Sequence, residues 1–181
     1  MKRICVGLSI LVAIALLLSA CASGSGSEDE MPDGKTWQEA LQSAEYQTQW
    51  TPEGVVRLEN GEYRAPAAPG SASEIVVALT EYLVTGELND ETAAAVILRS
   101  SGGGSGTFYE LHVMVERDGQ PHDVAWTQLG DRVEINSLAI EENEIVVDMV
   151  TQGPDDPMCC PTLQVLQTYA LEGEALVQTT D

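Results

Sequence analysis

The chain of 181 residues carries 29 Asp and Glu against 8 Lys and Arg, which gives a formal net charge of −21 with two neutral histidines. Such a chain repels phosphate groups, so we exclude nucleic acid and anionic lipid as partners and expect the acids to form a solvated surface. A cationic partner, a divalent metal or a salty habitat would also suit this charge.

The N-terminal segment has the organisation of a bacterial export signal. A positively charged start precedes an apolar run over residues 4–18, which is short for a membrane-spanning helix. The run ends in Leu-Ser-Ala-Cys at Cys21, and this stretch resembles the lipobox of bacterial lipoproteins. The resemblance implies that residues 1–20 are a signal peptide, that Cys21 carries covalent lipid and that the protein faces away from the cytoplasm, anchored to a bacterial membrane. An ordinary secretory signal or a retained anchor is the alternative.

A polar tether and a short helix are predicted next. Residues 21–35 are predicted to form a flexible tether, because residues 22–34 are small, polar and acidic with no apolar residue but Met31. A single globular domain then spans residues 36–181, the size of one domain. Thr36 followed by Glu39 is the capping-box pattern, in which each side chain satisfies a free backbone donor. The sequence therefore predicts an N-terminal amphipathic helix.

The rest of the domain has the pattern of β-strands joined by tight turns. Apolar and polar residues alternate most clearly over residues 109–116. Turn signals stand at Asn60-Gly61, Asp118-Gly119, Glu142-Asn143 and Glu172-Gly173. Sequential hairpins of this kind form an antiparallel meander with one buried face. The predicted fold class is α+β, mainly β, with one N-terminal helix and a hairpin-rich antiparallel sheet.

The glycine-rich segment at residues 100–108 has no catalytic signature. No lysine follows it as in a phosphate-binding loop, and Ser105 lacks the second glycine of a nucleophile elbow. We predict a flexible loop between strands. The chain also lacks the common motifs of metal hydrolases and serine hydrolases, which predicts that the protein is not an enzyme.

The two histidines are predicted to lie apart. A turn at Asp118-Gly119 places His112 opposite Ala125 and His122 opposite Val115. Successive strand residues alternate between faces, so the two imidazoles project from opposite sides of the sheet. We expect each to be a surface or half-buried histidine.

Two adjacent cysteines, Cys159 and Cys160, stand between Pro157 and Pro161. If Cys5 leaves with the signal peptide and Cys21 carries lipid, they can pair only with each other in an oxidising compartment. Adjacent Cα atoms lie about 3.8 Å apart across a trans peptide, below the roughly 4.4 Å of ordinary disulfides. A vicinal disulfide therefore calls for a distorted or cis peptide.

The cysteine pair has two alternatives to the vicinal disulfide. The thiols could be free and redox-labile, or they could bind a soft metal, since Met158 beside two thiolates would suit Cu(I). We favour the disulfide as a local constraint that presents the surrounding loop to a partner. The presenting loop comprises Asp155, Asp156, Pro157, Met158 and Pro161.

Several segments together resemble a known family. The Pro-Met-Cys-Cys-Pro motif, with "GSGTFYEL", "LGDRVEI" and "TYALEG", resembles an uncharacterised family of secreted and lipid-anchored bacterial proteins that includes the mycobacterial LppP/LprE lipoproteins. The resemblance covers residues 44–178 and implies an extracytoplasmic domain without an established activity. Many members have a longer acidic loop that resembles a calcium-binding turn. The equivalent loop in this chain is shorter and comprises Glu87, Asn89, Asp90 and Glu91. It is a weak calcium candidate, and the alternative interpretation is a plain solvated turn.

The functional prediction is an extracytoplasmic lipoprotein domain that acts as a non-enzymatic binding or envelope-support module. It has no cofactor other than the lipid on Cys21, and its partners are the membrane, through the anchor, and an unknown protein or small ligand. One alternative is a thiol redox or copper-handling protein that uses Cys159 and Cys160. Another is an inhibitor of a cationic envelope enzyme, suggested by the charge alone.

Overall fold

The computed structural model describes residue 31 and residues 35–179. The predicted signal peptide at residues 1–20, Cys21 and most of the predicted tether lie outside the described residues. Within them, the chain forms one short helix and eleven strands: α1 (Trp37–Leu41), β1 (Glu45–Gln47), β2 (Val55–Arg57), β3 (Glu62–Pro66), β4 (Glu74–Leu88), β5 (Glu91–Ser101), β6 (Phe108–Arg117), β7 (Gln120–Asp131), β8 (Glu134–Glu141), β9 (Glu144–Thr151), β10 (Leu163–Glu172) and β11 (Ala175–Gln178). All strand pairs are antiparallel, which confirms the predicted mainly-β class.

The strands form three sheets where the sequence predicted one meander. Strands β3 to β7 form a five-stranded sheet and β8 to β11 a four-stranded sheet, each in chain order, while β1 pairs with β2. The chain leaves the first large sheet at Arg132, whose φ of +54° turns the backbone between β7 and β8. Hairpin signals are local, so they do not reveal that β8 begins a new sheet.

The five-stranded sheet is covered on both faces. One face packs against the four-stranded sheet through a core that includes Ile97, Leu111 and Ile145. The other face packs against α1 and β1–β2 through a second core, to which Met31 contributes although it lies in the segment predicted as tether. The run Ala93–Leu98 of β5 is accordingly buried throughout, as expected for a strand covered on both sides.

Several predicted turns are present. Both central residues have positive φ at Asn60-Gly61, Asp118-Gly119 and Glu142-Asn143, as tight hairpin turns require. The strands beside Asn60-Gly61 nevertheless pair elsewhere, β2 with β1 and β3 with β4. The last predicted turn was one residue early, because Glu172 pairs with Ala175 and leaves Gly173 and Glu174 at the centre.

Candidate functional site

The loop between β9 and β10 holds the adjacent cysteines on the surface. A disulfide joins Cys159 to Cys160, whose Cα atoms are 3.8 Å apart, and no peptide bond is cis among the described residues. Both cysteines are exposed, and the neighbouring Met158 side chain is 79% exposed. The loop therefore presents sulfur-containing side chains to solvent.

Asp156 closes this loop from within. Its Oδ2 accepts hydrogen bonds from the backbone N–H of Gly153 at 2.8 Å and of Thr162 at 2.7 Å, and its Oδ1 accepts one from the Thr162 hydroxyl at 2.8 Å. The Gly153 N–H and the Thr162 hydrogen bonds favour the carboxylate and lower the pKa of Asp156. Asp156 thus joins the two ends of the loop. The sequence predicted this residue as part of the loop that is presented to a partner.

Arg132 holds the loop against its neighbours, a role that the sequence pattern did not predict. Its guanidinium donates to the carbonyls of Met158 and Ser105, both at 2.8 Å, and forms an ion pair with Asp131. The glycine-rich loop and the cysteine loop are therefore tied to one side chain. The one feature of the sequence that could have indicated this role is the arginine in "LGDRVEI", since an arginine in an acidic chain has many potential partners.

The two histidines differ sharply in their surroundings. His122 lies opposite Val115, as predicted, but His112 lies opposite Trp126 because a bulge at Val124 shifts the register of β6 and β7. The His112 side chain is 0% exposed, so the prediction of a surface or half-buried histidine is wrong for this residue. The bulge adds Val124 to β7 without moving Asp123, which pairs with Met114 and therefore lies on the same face as His112. An alternating sequence pattern contains no mark of such an extra residue.

His112 lies between two buried carboxyl groups. Its Nδ1 is 2.9 Å from Asp123 Oδ2, and its Nε2 is 4.0 Å from Glu110 Oε2. Burial opposes the charged imidazolium, but the hydrogen bond to Asp123 and the adjacent Glu110 outweigh it and raise the pKa of His112. We call Glu110, His112 and Asp123 the buried cluster.

The N-terminal layer covers this cluster and hydrogen-bonds to it. The Gln47 backbone N–H donates to Asp123 Oδ2 at 2.7 Å, and Trp50 Nε1 donates to Glu110 Oε1 at 3.3 Å. The Tyr46 ring meets the imidazole edge-on at a centroid distance of 5.5 Å. Burial and the charge of Asp123 raise the pKa of Tyr46, so this phenol stays neutral. One buried oxygen of each carboxyl group, Glu110 Oε2 and Asp123 Oδ1, lacks a hydrogen-bond partner among the described residues.

A cleft of about 330 Å³ opens beside the cluster, between the N-terminal layer and the start of β7. Its lining combines short apolar residues with polar and charged ones: Ala40, Ser43, Ala44, Glu45, Tyr46, Gln47, Val55, Arg57, Gln120, Pro121, His122 and Asp123. At its rim, Arg57 pairs with Glu45 at 3.4 Å and donates to the Ser43 carbonyl at 3.1 Å. Asp123 therefore connects the buried cluster to an accessible surface.

The weak calcium candidate is a tight turn. Glu87 and Glu91 flank it at the ends of β4 and β5, and Asn89 and Asp90 occupy its two central positions with φ of 54° and 64°. The Asn89 backbone N–H donates to Asn143 Oδ1 at 2.6 Å. Across the described part of the chain, no group of three or more His, Cys, Asp and Glu side chains is arranged to hold a metal ion.

No protein-family model, no curated protein and no solved structure matches this chain. Among the described residues, no helix has the length and apolar character needed to cross a membrane. Function is therefore inferred from the residues of this chain.

Proposed function

We propose that this protein is an extracytoplasmic lipoprotein whose domain binds a partner through the loop Gly153–Thr162. The observation that carries the proposal is the contrast between a tightly held loop and an exposed apolar side chain at its tip. Arg132 and Asp156 hold the loop, while Met158 is 79% exposed. Loops held on a rigid scaffold commonly carry binding residues, and methionine adapts to apolar partners.

The buried cluster supports a binding role over an enzymatic one. A general base must come within hydrogen-bond reach of the proton that it removes. The His112 and Glu110 side chains are 0% exposed, so a substrate does not reach them. We assign the cluster to holding the N-terminal layer on the sheet.

The membrane attachment is proposed from the lipobox resemblance and from the likeness to the LppP/LprE lipoproteins. In this proposal the lipid is on Cys21, and the tether joins it to an N-terminal amphipathic helix that begins the domain and contains α1. The anchor then holds the binding loop close to the membrane surface.

Replacing Cys21 with alanine is expected to prevent lipid attachment, so that the chain is either released or retained as an unprocessed precursor. Fractionation into membrane and soluble material, with intact-mass analysis, measures both outcomes. Cys5→Ala, within the predicted signal peptide, is the matched control and should leave attachment unchanged. Normal processing and membrane partitioning of the Cys21→Ala chain would contradict lipidation.

The double variant Cys159→Ala/Cys160→Ala is expected to shift the melting temperature by less than about 3 °C, because a bridge between adjacent residues constrains the unfolded chain very little. The same variant should lose the partner that the loop binds. Retention of proteins from an envelope extract on immobilised domain, residues 31–181, which keeps the buried Met31, measures this loss.

Glu172→Ala/Glu174→Ala provides the control, because the turn between β10 and β11 lies at the opposite end of β10 from the loop. It should retain the same protein as the unaltered domain. Intact mass after alkylation of the unreduced domain tests the disulfide itself. Uptake of two alkyl groups before reduction would show free thiols and overturn this account of the pair.

A further inference from the structure

The cleft beside the buried cluster is separate from the cysteine loop and has a chemistry of its own. We propose that it binds a monovalent organic cation, an alkylammonium or alkylguanidinium group such as lysine and arginine side chains carry. This inference goes beyond the proposed function and does not depend on it.

The charge of the cleft favours a cation. Asp123 forms part of its wall, and Glu45 stands at its rim. The buried cluster, to which Asp123 belongs, contains two carboxyl groups and one imidazole, so its acidic groups outnumber its basic one. Asp123 is 4% exposed at its side chain, and its Oδ1 has no hydrogen-bond partner among the described residues. This oxygen has almost no accessible surface of its own, so the carboxyl group attracts a cation in the cleft through its charge at short range.

Arg57 lines the cleft as a permanent cation, and it is weakly held. Its pair with Glu45 measures 3.4 Å, with the two side chains 66% and 56% exposed. Exposed ion pairs of this kind add little to stability, so a ligand can displace the Arg57 side chain from Glu45. The rim already accommodates a guanidinium group between a carboxylate and the Ser43 carbonyl.

The remaining lining suits an organic cation better than a bare metal ion. Ala40, Ala44, Val55 and Pro121 give the cleft an apolar wall, along which an alkyl stem can pack while its charged head meets the carboxylates. A hard divalent ion needs six or more oxygen ligands, and among the described residues no suitable group of three acidic or metal-binding side chains is present.

Binding in the cleft should also change the pKa of His112, because Asp123 lines the cleft and its Oδ2 is 2.9 Å from His112 Nδ1. The titratable groups that face this imidazole are Glu110 on β6, Asp123 on β7 and Tyr46 on β1. A cation near Asp123 competes electrostatically with the imidazolium, so it should lower the pKa of His112. His122 lines the cleft as well, and its imidazole resonances must be followed separately.

The test is a titration of the full chain in nonionic detergent with n-butylguanidinium or n-butylammonium, followed by amide and imidazole NMR. We expect saturable shifts at Glu45, Gln47 and His122, with a fall in the pKa of His112. Glu45→Gln should weaken binding by about threefold to fivefold, as loss of one exposed ion pair implies. Glu53→Gln, an exposed change outside the cleft with the same loss of charge, should alter binding by less than about twofold.

Neutral n-butylurea, which has the shape of n-butylguanidinium, should cause no saturable shift. Equal binding of the urea would show that charge is not recognised and would overturn the proposal. Equal weakening by the two glutamine variants would assign the effect to the overall acidity of the chain and would overturn it too. Tighter binding of Ca²⁺, detected at the same amides, would show that the cleft is a metal site and would overturn the proposal. The absence of any saturable shift would show that the cleft binds none of these cations and would overturn it as well. Because Glu45 is exposed, its variant is expected to keep the fold.

Discussion

Replacing His112 with glutamine is expected to lower the free energy of unfolding by about 3–5 kcal/mol near pH 6, the cost of removing one partner from buried charged groups. Glutamine keeps some hydrogen-bonding capacity but cannot supply the positive charge between Glu110 and Asp123. It also removes the imidazole that stacks on Trp126 at a centroid distance of 5.8 Å. Denaturant unfolding followed by circular dichroism measures the change.

The chain provides its own control for this variant. His122 is exposed and lies outside the buried cluster, so His122→Gln should change the free energy of unfolding by less than about 0.5 kcal/mol. Equal unfolding midpoints for His112→Gln and the unaltered protein would show that the cluster contributes nothing to stability. Equal losses of unfolding free energy in the two variants would show that the burial of His112 does not increase its contribution to stability.

The cluster illustrates what the sequence could and could not predict. Tight turns such as Asp118-Gly119 were predictable, because positive φ at both central positions leaves few residue choices. The cross-strand neighbour of His112, Trp126, was not, because the extra residue Val124 in β7 shifts the strand register without disturbing the apolar pattern nearby. The cover over Glu110 comes from Trp50, sixty positions earlier in the chain, and no local pattern records such a contact.

The cysteine loop shows the same limit in a different form. The motif around Cys159 and Cys160 was conspicuous because of its composition. The side chain that supports this loop was not conspicuous in the sequence. Arg132 hydrogen-bonds to backbone carbonyls of two separate loops, and any residue type presents the same carbonyl. The sequence therefore located the exposed part of the candidate binding surface but not the side chain that positions it.

The pH dependence of stability should isolate His112 further. Its folded-state pKa is raised by the hydrogen bond to Asp123 and by Glu110, which together outweigh the effect of burial. A raised pKa means that the folded state binds the proton more tightly than the unfolded chain, in which histidine titrates near pH 6.5. The resulting stabilisation is fully present below about pH 6.5 and is lost as the pH rises through the folded-state value.

The free energy of unfolding of the unaltered protein should therefore fall above about pH 6.5, with a slope of at most about 1.4 kcal/mol per pH unit from this one group. His122→Gln should retain the fall, whereas His112→Gln should lose it, so the stability difference between the unaltered protein and His112→Gln narrows with rising pH. Denaturant unfolding at a series of pH values measures all three chains. If the stability of the unaltered protein instead stays level above about pH 6.5 and falls as the pH drops below it, His112 is buried in its neutral form. The buried cluster would then be a hydrogen-bonded group without a central cation.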